Sequence, residues 1–157
     1  MDKAALIRCI IEQLENDRRV TADALKAAHE AATHEESKAE NKYDTRGLEA
    51  AYLADGQRKR LHELEAAVMA YRNLVLEPME GKVRLGAFVS LDADGGRKDL
   101  FLGPDAAGLK IRQATDEILV ITPLSPLGKA LLGAQEGDEV DIVVAGRRQR
   151  YDVIGVE

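Results

Sequence analysis

The sequence predicts an α+β protein in which a long antiparallel helical hairpin precedes a small antiparallel sheet packed on one short helix. The first observation is composition: before Pro78 the chain is rich in Ala, Glu, Lys, Arg and Leu, its only glycines are Gly47 and Gly56, and it has no proline. From Pro78 onward it carries eleven glycines, all four prolines and short β-branched runs. Two domains, 1–77 and 78–157, are therefore predicted.

The second observation is the spacing of apolar residues in the first domain. They recur in steps of three and four, which keeps one seam facing a partner helix, as in a coiled coil. Each helix would have roughly 30 residues or more, about 45 Å at ~1.5 Å per residue, so the two bury their seams against each other. The bend is predicted where the seam disappears, in the polar run THEESKAENKYD at 33–44. The seam residues are Ile7, Ile11, Leu14, Leu25, Ala28, Ala32, Ala50, Ala54, Gln57, Leu61, Leu64, Val68, Tyr71 and Val75.

The second domain shows the texture of short strands around one helix. Strands are predicted at 84–91 and 99–102, joined by a turn at 92–96 whose glycines permit positive φ. A third strand is predicted at 118–122, a helix at 125–132, and further strands at 138–144 and 149–156.

The helix is predicted by the run ITPLSPLGKALLGAQEGDEVDI at 121–142. Ser125 is a favourable N-cap, Pro126 suits the first helical position, and Gly133 ends the helix. Leu127, Leu131 and Leu132 are predicted to lie in the core. On this interpretation the motif has a purely structural explanation, in which its residues serve as cap, first turn and terminator.

Composition also limits the function. A formal charge of −6 and a pI near 5.2 argue against a protein that grips nucleic acid through phosphate contacts, so any nucleic-acid role is expected to pass through a partner. Cys9 is the only cysteine, which excludes a disulfide framework, and it is predicted to be a small buried hydrophobe. The chain shows no signal peptide and no transmembrane stretch, so a cytoplasmic location without membrane contact is expected.

The order Ser-Pro-Leu-Gly-Lys-Ala-Leu-Leu-Gly, followed by Glu-Gly-Asp-Glu-Val, resembles the C-terminal signature of the Gre family of bacterial transcription factors. The resemblance implies an N-terminal coiled coil joined to a domain similar to the FK506-binding prolyl isomerases (FKBP-like). It also implies that the partner is bacterial RNA polymerase, with the globular domain docked at the mouth of the secondary channel and the coiled coil reaching the active centre. RNA would be contacted only within that complex.

In the family, acidic residues at the hairpin tip act on the magnesium of the polymerase and promote cleavage of backtracked RNA. The family pattern Asp-x-x-Glu-Asn aligns with Glu40-Asn41 and places Ser37 where the first acid stands, while Glu36 is adjacent to that position. The resemblance therefore implies a catalytic set of Glu36, Glu40 and Asp44, with Glu36 and Glu40 directed to the Mg²⁺ of the polymerase and no cofactor belonging to the chain itself. The implied partner-binding residues are Ser37, Asn41, Tyr43, Ser125, Pro126 and Lys129.

Two alternatives stay open from the sequence. The tip acids fit a solvated loop equally well, because charged runs usually face solvent. The chain would then be a non-catalytic occupant of the secondary channel, or an interaction protein similar to the regulator of nucleoside diphosphate kinase. The sequence leaves the oligomeric state undetermined.

Overall fold

The computed structural model describes residues 1–36 and 46–157, with the side chains of 32, 35, 36, 46, 47 and 50 left undescribed. Two long helices precede a six-stranded sheet and one short helix, which confirms the predicted fold class. Among the described helices none has a stretch that is long and apolar enough to cross a membrane. The elements are α1 Lys3–Glu36, α2 Arg46–Arg72, β1 Phe88–Asp92, β2 Lys98–Leu102, β3 Lys110–Gln113, β4 Asp116–Ile121, α3 Pro126–Leu131, β5 Glu139–Val144 and β6 Arg147–Val156.

Helix α1 begins at a side-chain cap, because Asp2 Oδ1 accepts a hydrogen bond from the Ala5 amide at 2.9 Å. Its apolar stripe is rotated from the predicted seam: Leu6 and Ile10 are fully buried, whereas Ile7 and Ile11 are half-buried. Leu14 and Ala28 are buried as predicted. The prediction that Cys9 is buried is wrong, because the side chain is exposed. Cys9 directly precedes the buried Ile10, and adjacent positions of a helix point in different directions.

The helix continues past the end of its apolar seam. Residues 33–36, the first part of the predicted bend, are helical, and α1 ends at Glu36. On this stretch Thr33 donates its hydroxyl hydrogen to the His29 carbonyl oxygen at 2.9 Å, the bond that a threonine inside a helix commonly makes one turn back. The remainder of the predicted bend, at 37–44, lies outside the described residues.

Helix α2 buries much of its predicted seam, including Ala54, Leu64, Val68 and Tyr71. Its seam ends earlier than predicted, because the helix stops at Arg72 and Val75 lies beyond it with 74% of its surface exposed. The spacing of apolar residues continues to Val75 in the sequence, but the helix has already ended, so Val75 does not share a face with the buried residues of α2.

By packing, the chain divides into two compact units. Unit 1 joins Met1–Ile10 to Ala70–Glu157, and unit 2 contains Ile11–Met69. Within unit 2 the pKa of Arg18 on α1 is raised first by its hydrogen bond to Glu15, and the carboxylate of Glu65 on α2 adds to that shift. The boundary predicted at Pro78 rests on composition, and it stays a prediction.

The sheet has the order β3-β4-β2-β1-β6-β5. All of its strand pairs are antiparallel except β2 and β4, which run parallel. The chain reaches that parallel position by crossing through β3, a four-residue edge strand that the sequence reasoning missed. A crossover connection is what parallel neighbours require, so the missed strand and the unexpected parallel pair have one origin.

One face of the sheet packs on α3. Alternate residues of the strands point to this face, as the two-residue period of a strand requires. The buried cluster also contains Val83, whose amide donates to the Ala134 carbonyl oxygen at 2.7 Å and whose carbonyl oxygen accepts from the Gly133 amide at 2.8 Å. These two bonds tie the chain before β1 to the turn after α3. The cluster includes Ala87, Val89, Leu91, Leu100, Leu102, Ile121, Leu131, Val140, Ile142, Tyr151 and Val153.

On the face of the sheet away from α3, Tyr71 from the last turn of α2 packs beside Gly103. Its side chain is 1% exposed, and its hydroxyl donates to the Asp105 carbonyl oxygen at 2.9 Å. Gly103 makes room for the ring: a Cβ at that position would lie 2.1 Å from the tyrosine hydroxyl and 3.3 Å from a methyl of Val120. Burial raises the pKa of Tyr71, and the carboxylate of Asp105 adds to the shift.

The β5–β6 hairpin turns at Ala145 and Gly146, which have φ values of 50° and 75°. Two consecutive residues with positive φ match the twist of the flanking strands, but alanine is a poor choice for this conformation. Replacing Ala145→Gly is expected to raise the free energy of unfolding by about 0.5–1 kcal/mol in urea denaturation. Gly146→Ala is the matched control and should lower it; a loss of stability in Ala145→Gly would contradict the explanation.

Candidate functional site

The motif at 121–142 folds as predicted around α3. Ser125 is the N-cap: its Oγ accepts from the Gly128 amide at 3.1 Å and donates to the Thr122 carbonyl oxygen at 2.7 Å. Pro126 occupies the first helical position, and Gly133 follows the helix with φ 82°. The hydroxyl of Ser125 therefore joins the end of β4 to the start of α3.

The structure explains why position 128 is occupied by glycine, which the sequence did not reveal. A Cβ on this residue would lie 1.9 Å from the Thr122 carbonyl oxygen and 2.8 Å from Ser125 Oγ. The first turn of α3 thus packs directly against the backbone that leaves β4. Only a residue without a side chain fits this approach.

The outer side of this motif presents an exposed surface, here called the α3 surface, formed by Leu124, Pro126, Lys129 and Leu132. Leu124 is 82% exposed, and Leu132 is 45% exposed although it was predicted to be core. Leu131 is fully buried and Leu127 is partly buried against the core cluster, so two of the three predicted core leucines are confirmed. Leu132 differs because it follows the last helical residue and leaves the inward face.

The structure brings three of the predicted partner-binding residues together, since Ser125, Pro126 and Lys129 belong to this one short segment. Ser125 is half-buried as a cap, whereas Pro126 and Lys129 are exposed. The exposed Leu124 and Leu132 beside them were not among the predicted partner-binding residues. Their exposure could have been expected from the sequence, because a six-residue helix is too short to bury every apolar position around it.

The predicted catalytic tip falls mostly outside the described part of the chain. Glu36 is the last residue of α1, and its side chain is not described. Glu40 and Asp44, together with Ser37, Asn41 and Tyr43, lie outside the described residues. In the ranges 1–36 and 46–157, no group of three or more His, Cys, Asp or Glu side chains is placed to hold a metal ion.

Comparison with known proteins identifies the sheet-bearing part of the chain. The family model described as transcription elongation factor, GreA/GreB, C-term matches residues 78–157. This chain belongs to the Gre family. The GreA transcription elongation factor of Desulfovibrio desulfuricans is 32% identical over 151 residues, which cover 93% of this Gre-family chain and 84% of the relative. GreA of Nitratidesulfovibrio vulgaris is 31% identical over 151 residues, 93% of this chain and 85% of the relative.

A solved structure also resembles this Gre-family chain. The GreA factor homolog 1 (Gfh1) protein of Thermus thermophilus shares 21% identity with it, and the match covers 94% of each chain with a TM-score of 0.37. The family assignment rests on the sequence matches.

Proposed function

We propose that this chain binds bacterial RNA polymerase and regulates elongation through the secondary channel. The α3 surface docks the globular domain, and the helical hairpin reaches toward the active centre. The tip carboxylates Glu36, Glu40 and Asp44 then act on the Mg²⁺ of the polymerase and promote cleavage of backtracked RNA. On this proposal the protein works in the cytoplasm and has no metal of its own.

The observation that carries the proposal is the combination of a Gre C-terminal domain with two long helices before it. Helix α1 has 34 residues and α2 has 27. At ~1.5 Å per residue these helices are about 50 and 40 Å long, enough for a hairpin that reaches well away from a docked domain. Binding through the globular domain alone would not require helices of this length.

The proposed chemistry suits the residue types. Mg²⁺ prefers carboxylate oxygens, keeps several waters and needs only one or two protein carboxylates in addition to its other ligands. A carboxylate beside a metal-bound water also orients the nucleophile in phosphodiester cleavage. Glu40 is the acid that aligns with the family pattern, while Ser37 stands where the pattern has its first acid, so we assign the larger share of the effect to Glu40.

The proposal is tested on backtracked polymerase complexes supplied with Mg²⁺. The wild-type chain is expected to compete with a known secondary-channel factor and to release short 3′ RNA fragments. Glu40→Ala should compete equally well but release fragments about tenfold more slowly, equivalent to about 1.4 kcal/mol of transition-state stabilisation. The matched control is Glu12→Ala, an exposed acid on α1 far from the tip, which should behave like wild type.

Two outcomes would change the conclusion. Absence of competition at high micromolar concentration would contradict polymerase binding altogether. If the wild-type chain and Glu40→Ala compete equally well and neither releases fragments, the result would favour the alternative of a non-catalytic channel occupant or an interaction protein of the nucleoside diphosphate kinase regulator type.

A further inference from the structure

Unit 1 also contains a concave region that includes no residue of the α3 surface. It is a groove of about 360 Å³ between the β1–β2 turn and the β5–β6 hairpin. Ala93, Asp94 and Gly95 form the wall at the turn, and Lys98 lies beside them at the start of β2. The other wall consists of Asp141 on β5 and residues 148–151 on β6.

The residues that line the groove carry one more positive than negative formal charge, in a chain whose formal charge is −6. Its ionised lining residues are Lys98, Arg148 and Arg150 against Asp94 and Asp141. The amine of Lys98 lies 5.2 Å from the centre of the Tyr151 ring. Among the described residues, no carboxylate forms an ion pair with this amine, so its three N–H donors are available to a ligand in the groove.

The two arginines are held in place but keep free donor groups. Arg148 Nη2 bonds Asp141 Oδ2 at 2.7 Å, while Arg150 Nε contacts Glu139 Oε1 at 3.1 Å and Asp141 Oδ1 at 3.4 Å. Hydrogen bonds from both arginines, that from Arg148 first, lower the pKa of Asp141, so the carboxylate stays ionised and continues to orient them. A guanidinium has five donors, and each of these arginines uses only part of its set on the acids.

Such an arrangement matches the chemistry of phosphate. A phosphoryl group presents several acceptor oxygens, which suit the planar fork of arginine and the point charge of lysine together. A volume of about 360 Å³ is at the lower end of the range for small-molecule sites, enough for a pyrophosphate or a nucleotide-sized molecule. We propose that the groove between the β1–β2 turn and the β5–β6 hairpin binds a small phosphorylated ligand through Lys98, Arg148 and Arg150.

The test uses the full-length chain without polymerase, so its result is independent of the proposed transcription function. Inorganic pyrophosphate is titrated into the ¹⁵N-labelled protein at constant ionic strength. Amide shifts that saturate and are confined to residues 93–98 and 148–151 are expected. Arg148→Ala should weaken the affinity about tenfold, as expected for one charge-assisted hydrogen bond.

Arg112→Ala is the matched control. Glu117 pairs with Arg112 at 3.7 Å and with Lys110 at 2.8 Å, just as Asp141 pairs with both Arg148 and Arg150. Each variant therefore leaves the carboxylate paired with one remaining cation. Lys98→Met, which keeps an apolar contact with the Tyr151 ring, should also weaken binding. The proposal is overturned if shifts do not saturate, if sulfate produces the same shifts at equal concentration, or if Arg112→Ala weakens binding as much as Arg148→Ala. Binding of only a single-stranded RNA oligomer, with steep salt dependence, would likewise overturn it in favour of a nucleic-acid surface.

Discussion

Replacing Tyr71→Ala is expected to lower the free energy of unfolding by about 3–5 kcal/mol, the cost of removing a buried aromatic side chain. The ring is 1% exposed and fills the space that Gly103 leaves open. Its hydroxyl is also the partner of the Asp105 carbonyl oxygen. The substitution therefore creates a cavity and leaves a polar group without its bond.

Two further variants separate these contributions in urea denaturation. Tyr71→Phe keeps the ring and should cost only about 1 kcal/mol, the net value of one hydrogen bond. Tyr52→Ala is the matched control, since Tyr52 lies on the same helix and is 69% exposed. A change beyond about 0.5 kcal/mol would be unexpected there. Equal losses at the two tyrosines would show that burial of the Tyr71 ring adds nothing to the free energy of unfolding.

Replacing Gly128→Ala is expected to lower the free energy of unfolding by about 3 kcal/mol, at the upper end of the usual cost of overpacking. The added methyl group would lie 1.9 Å from the Thr122 carbonyl oxygen. Backbone cannot rotate aside as a flexible side chain does, so either α3 moves away from β4 or the Ser125 cap breaks. Both changes would also disturb the α3 surface.

The control is the same substitution at Gly56, which lies inside α2, where an added methyl group would meet no neighbouring heavy atom within 4 Å. Gly56→Ala should raise the free energy of unfolding by about 1 kcal/mol through helix propensity. The two variants thus have opposite expected signs for one chemical change. If Gly128→Ala also proved stabilising, the close approach of α3 to Thr122 would be disproved.

Local signals in the sequence predicted local structure well. Ser125, Pro126 and Gly133 act through fixed backbone conformations, so cap, first turn and terminator could be assigned without knowledge of the fold. The burial of Leu64, Val68 and Tyr71 followed from helical spacing in the same way.

Features that depend on distant partners were missed. Strand β3 has the sequence KIRQ, in which only Ile111 is buried, so an edge strand of four residues gives almost no apolar pattern. The parallel pairing of β2 with β4 depends on the route of the chain through β3, which no local pattern records. The need for glycine at position 128 depends on the Thr122 carbonyl oxygen, six residues earlier and outside the helix.

The candidate site shows the same difference between features with a local sequence signal and features without one. The motif around Ser125 was found because its backbone chemistry is local, and the family model matches the domain that contains it. The tip acids carry no such local signature: Glu36, Glu40 and Asp44 were selected through the family resemblance, and their roles stay predictions. The likeness of the sheet domain to FK506-binding proteins and the coiled-coil character of the helices stay predictions as well.

The position of β6 in the sheet has a consequence for synthesis on the ribosome. Strand β6 lies between β1 and β5, so it supplies the neighbour for two strands that precede it in the chain. Until residues 147–156 have left the exit tunnel, β1 and β5 each lack that partner. Unit 1 also contains Met1–Ile10, which lies far from β6 in the sequence. The sheet can therefore be completed only after β6 has been made, while the long helices, built from local contacts, can form earlier.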